Sequence, residues 1–174
     1  NALGEVEIIA FLNGKELGKT LVAVDEATGL NHAGWAFLYL EIEEIAQGYE
    51  IKEEALTWAK VNRASLGEGL GNGRADAARH AYWCGIMTLE WNVDKAIGLS
   101  TAYEVTNLSG NAPHNESVMD LANNAFGVSF ASGANATRET LVDSIYGALN
   151  NNLLTILTDY NNNEGSAFLK PSNL

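Results

Sequence analysis

Residues 76–91 read DAARHAYWCGIMTLEW. Asp76, Arg79, His80 and Trp83 stand there at i, i+3, i+4 and i+7, which on a helix is one face. The surrounding residues are almost all apolar or small. Ionisable groups on such a helix need partners, because burying them bare carries a large desolvation penalty. The stretch therefore predicts a core helix that carries a polar stripe, and it directs attention to what faces that stripe.

The segment after Asn115 repeats the pattern. In SVMDLANNAFGVSF, residues 117–130, Asp120, Asn123, Asn124 and Gly127 again fall at i, i+3, i+4 and i+7. A helix is expected between the two, from Asn92 as N-cap to about Thr106, carrying Glu104 with Thr101 and Tyr103 beside it. Facing stripes on antiparallel neighbours would bring Arg79 and His80 near Glu104, Asp120, Asn123 and Asn124.

The remainder of the chain fits a mainly α protein. EVEIIAFLNGKELGKTLVAV, from about Glu5 to Val24, has β-branched and apolar runs on either side of Asn13-Gly14, a favoured hairpin turn. A helix from Glu16 to Val24 competes with this hairpin. Trp35, Leu38, Ile42 and Ile45 recur at helical spacing, although the alternation in FLYLEIE leaves a strand open. A further helix is expected from Ile51 to about Arg63. SLGEGLGNG, residues 65–73, is a glycine-rich loop without the Lys-Ser/Thr of a phosphate loop. A last helix is expected from Thr137 to about Tyr160, with Leu141, Ile145, Leu149, Leu153 and Leu157 in register. Residues 1–28 then form a hairpin segment, 29–160 a helical-bundle-like single domain, and 161–174 an irregular tail that docks through Phe168 and Leu169.

Composition narrows the function. The 174 residues carry 22 acids and 10 bases, a formal charge of −12. Such a surface repels phosphate backbones and argues against nucleic acid as a partner. The longest apolar run, AGWAFLYL at 33–40, is too short to span a bilayer. Cys84 is the single cysteine, so an intrachain disulfide is impossible; within the apolar helix it reads as a small buried hydrophobe.

ADAARHAYWCGIMT, TAYE and MDLANNAFG, in that order, resemble an uncharacterised bacterial family of secreted, toxin-associated helical domains. Its pattern runs Asp-Ala-x-Arg-His-Ala-x-Trp, Ala-His-Glu, then Met-Asp-Leu-x-Asn-Asn-x-x-Gly. The resemblance covers residues 74–128 and marks Asp76, Arg79, His80, Trp83, Glu104, Asp120, Asn123, Asn124 and Gly127. It implies an extracellular or cell-surface setting. The chain departs from the pattern at Tyr103, where the family has His.

Two readings of the stripes stand at this point. In the first they form a buried polar network that fixes helix register, with Arg79 paired to Asp120 or Glu104 and His80 bonded to a carbonyl or to Asn124. The domain would then be a structural or assembly module, with a second copy or an extracellular protein as partner. In the second they form a hydrolase-like site. His80, Arg79, Glu104 and Asp120 would be catalytic, and Asp76, Trp83, Asn123 and Asn124 would bind substrate. A metal variant would hold zinc or calcium on His80, Glu104, Asp120 and His114. The structural reading is the favoured one. Solvent access to His80 discriminates: a catalytic imidazole lines a pocket, a structural one is sealed.

Overall fold

The structure is a computed structural model. It describes residues 5–12, 15–23, 42–67, 70–108, 114–157 and 169–171, and side chains at 44, 47–67, 70–104 and 115–157. The chain is mainly α. Strands β1 (Glu5–Leu12) and β2 (Lys15–Ala23) pair antiparallel, Glu5 opposite Ala23, with a register shift at Ala10/Phe11. Helices follow at α1 (Ile42–Val61), α2 (Arg63–Leu66), α3 (Arg74–Glu90), α4 (Val93–Leu108), α5 (His114–Ala131) and α6 (Arg138–Asn150). The short strands β3 (Thr155–Leu157) and β4 (Leu169–Pro171) pair antiparallel. The Asn13-Gly14 turn, Trp35, Leu38, His32 and Phe168 lie outside the described residues.

Helix α3 is the axis of the fold. Residues 75–88 are buried apart from Arg79. Its small residues explain how this is possible. Ala77, Ala78, Ala81 and Gly85 let α5 and α6 approach closely. At Gly127 of α5 a Cβ would lie 2.0 Å from the Ala81 carbonyl oxygen, so the backbones of α3 and α5 touch. At Gly85 a Cβ would lie 2.5 Å from Leu141 Cδ2 on α6. Ile86, Met87, Leu141, Ile145 and Leu149 fill the rest of this core. Trp58 stacks on Tyr82 at 4.4 Å between ring centroids, which seats α1 on the opposite side of α3.

Three expectations about elements need correction. The turns around Ile45 and Ile51 belong to one helix, α1, which runs straight through Gly48. A Cβ at Gly48 would lie 3.2 Å from the Trp91 ring, so the glycine there is a docking point for that indole rather than a break. The expected helix to Tyr160 stops at Asn150. The run Asn150-Asn151-Asn152 ends it, with Asn152 at φ 63°, a left-handed conformation that asparagine tolerates. Leu153 and Leu157 therefore do not continue the α6 stripe. Leu153 is exposed, and Leu154, Ile156 and Leu157 are buried in and around β3. Finally, α5 begins at His114, ahead of the segment after Asn115 in which the sequence places the second stripe.

Candidate polar centre between α3 and α5

The centre begins at the start of α3. Asn72 precedes the helix with φ 64°, and this turn aims its backbone N–H at the first helical turn. That N–H donates to Asp76 Oδ2 at 2.7 Å. An acid in the first turn both caps an orphan donor and favours the positive end of the helix dipole. Asn72 Nδ2 also donates to Glu116 Oε1 of α5 at 2.6 Å, and its carbonyl accepts from the Leu157 N–H of β3 at 2.9 Å. One left-handed asparagine thus ties three elements together. Neither Asn72 nor Glu116 stands out in the sequence; the only signal is an Asn inside a glycine-rich loop.

One turn on, Arg79 donates through Nε (2.8 Å) and Nη2 (2.7 Å) to Asp76 Oδ1. The expected bridge from Arg79 to Asp120 or Glu104 is not the one formed. The i, i+3 partner on its own helix is nearer and requires no reach across the seam. Arg79 Nη2 also donates to His80 Nε2 at 2.6 Å. A guanidinium cannot accept, so Nε2 must present its lone pair and the ring proton must sit on Nδ1. That nitrogen donates to Asn124 Oδ1 of α5 at 3.2 Å. His80 is 1 % exposed. Burial, and then the Arg79 charge, hold its pKa well below 6.5, so the ring is neutral.

Asp120 enters from α5, its side chain 13 % exposed. Its Oδ1 lies 3.2 Å from His80 Nε2. The same oxygen makes no hydrogen bond among the described residues. Two lone pairs facing at this distance repel unless a proton or a cation lies between them. Burial, then the neighbouring Glu104 and Asp76 carboxylates, push the Asp120 carboxyl up to about 9. Glu104, on α4, is 1 % exposed. Asp76, His80 and Asp120 each offer a ligand atom, and the three atoms lie within 4.8 Å of one another.

The remaining expected site residues fall in different places. Asn124 is in the centre as the partner of His80. Asn123 is not: its side-chain amide donates to the Thr155 carbonyl and its oxygen accepts from the Thr155 N–H, both at 2.9 Å. It clamps β3 onto α5. Trp83 packs edge-to-face on His80 (6.3 Å) and on Tyr103 (5.7 Å), as a wall rather than a stacking platform. The side chain of His114, expected as a metal ligand, lies outside the described residues.

Comparison with known proteins adds one match. The family model described as Domain of unknown function (DUF6973) matches residues 35–153. This chain belongs to that family. No curated protein and no solved structure matches it. The polar centre lies wholly inside the DUF6973 region, as do α3, α5 and the Gly127 contact.

Proposed function

We propose that this DUF6973 domain is a non-catalytic structural module of an extracellular or cell-surface protein, in which the polar centre fixes the register of α3 against α5. The sealed imidazole of His80 carries this reading. At 1 % exposure, with Nδ1 spent on Asn124 and Nε2 covered by Arg79, it offers no face to a substrate while Arg79 is in place. A general base must reach within hydrogen-bond distance of the proton it takes. The resemblance of the three motifs to secreted, toxin-associated bacterial domains supports the extracellular setting. No helix among the described residues is long and apolar enough to cross a membrane.

The test is His80→Gln with unfolding followed by circular dichroism. Gln keeps one polar arm but loses the two-sided bridge. The expected loss is about 1–3 kcal/mol, the range for leaving buried partners unsatisfied. A hydrolytic activity in the wild type that disappears in His80→Gln at unchanged stability would overturn the structural reading.

A further inference from the structure

We propose that Asp76, His80 and Asp120 form a binding site for a first-row divalent transition ion, of which zinc is the representative, and that Arg79 is its built-in competitor. The proposal rests on the structural reading above and deepens it, because the ion would be a closed, register-fixing one.

Geometry is the first support. Two ligand atoms about 2.0–2.1 Å from a tetrahedral centre are about 3.3 Å apart. The His80 Nε2 to Asp120 Oδ1 separation is 3.2 Å. An Asp76 carboxylate oxygen completes the set within 4.8 Å. Orientation is the second. Metal-bound imidazoles usually donate their other ring nitrogen to a fixed acceptor, which sets the tautomer. Here Nδ1 donates to Asn124 Oδ1, so the Nε2 lone pair is left on the side of Asp120 Oδ1, 3.2 Å away. Asn124 is itself 2 % exposed.

The third support is what now occupies the space. Arg79 Nη2 lies 2.7 Å from Asp76 Oδ1 and 2.6 Å from His80 Nε2, a cation in contact with two of the three ligand atoms. It leaves the third, Asp120 Oδ1, without a hydrogen bond among the described residues. As placed, the guanidinium contacts two of the three residues; a small ion would contact all three once their ligand atoms draw in from the 4.8 Å spread. The Arg79 side chain is 22 % exposed, so it has a route outward when an ion enters. An imidazole with two carboxylates selects a transition ion over calcium or magnesium, which take oxygen ligands.

Zinc chloride titrated into the chelator-stripped 174-residue chain, read by calorimetry and by the His80 Nε2 nitrogen shift in NMR spectra, tests the site. One zinc per chain is expected, with the Nε2 resonance moving on binding. Asp120→Asn should abolish that stoichiometric binding. Arg79→Gln should tighten it on the order of tenfold or more, because the competing state is removed. A merely structural arginine would not produce that gain. Absence of zinc binding in both wild type and Arg79→Gln would overturn the proposal, as would zinc that binds Asp120→Asn undiminished or calcium that binds more tightly than zinc. Circular dichroism in chelator confirms that each variant is folded. A failed zinc titration alongside the stability loss of His80→Gln would leave the structural reading standing.

Discussion

At the scale of single residues, the centre is governed by two groups with opposed proton preferences. His80 binds its proton less tightly folded than unfolded, its folded pKa being well below 6.5. Its contribution is present above 6.5 and is lost as the pH falls below that value. Asp120 is the reverse. Its carboxyl moves from 3.8 to about 9 on folding, so its contribution is present below 3.8 and is lost as the pH rises towards 9. Just below 6.5 the two trends oppose each other; above 6.5 only that of Asp120 remains. Chelator-treated protein should therefore lose thermal stability steadily from pH 6.5 to 9, and Asp120→Asn should not. Midpoints of thermal unfolding across that range check this, and parallel profiles for the two proteins would refute it. His80, Asp120 and Asn124 were legible in the sequence because two helical stripes with the same spacing must face each other. The Arg79–Asp76 pair was harder to read, since a same-face neighbour and a cross-helix partner are both compatible with the spacing. Asn72 was out of reach, because its importance lies in a left-handed backbone angle that no side-chain pattern reveals.

At the scale of elements, the α3–α5 seam depends on a glycine. Gly127→Ala would place a methyl 2.0 Å from the Ala81 carbonyl oxygen, which is backbone and cannot rotate away. Overpacking in cores typically costs about 1–3 kcal/mol, and a main-chain obstacle places this change at the upper end or beyond. Denaturant unfolding should show that loss. Gly147→Ala on α6 is the control, since a Cβ there meets nothing within 4 Å; it should be neutral or stabilising, as alanine is the better helix former. Equal effects at the two sites would argue against the close seam. The helical class was readable from apolar periodicity, whereas helix ends were not. Leu153 and Leu157 continue a heptad on paper, yet the three asparagines before them turn the chain into β3. Local backbone preference decided what periodicity could not.

At the scale of the whole molecule, α3 is enclosed by α1, α5 and α6. Amide exchange should consequently be slowest across residues 75–88, where almost every residue is buried, and should approach the global unfolding free energy there. Mass-spectrometric exchange resolves this; faster exchange in α3 than in α6 would show that the helix is not the last to open. The sealed His80 was framed by the sequence only as a question, because burial depends on four helices assembling and not on any one segment. The touching backbones at Gly127 carry one more consequence. Where main chains meet, the gap between two helices is set by atoms that every amino acid shares. The α3–α5 pair is in that sense a fixed caliper. Residues at 76, 80, 120 and 124 can be exchanged for other donors and acceptors while the span across which they must reach each other stays the same, which makes this pair a ready frame for building sites of altered chemistry.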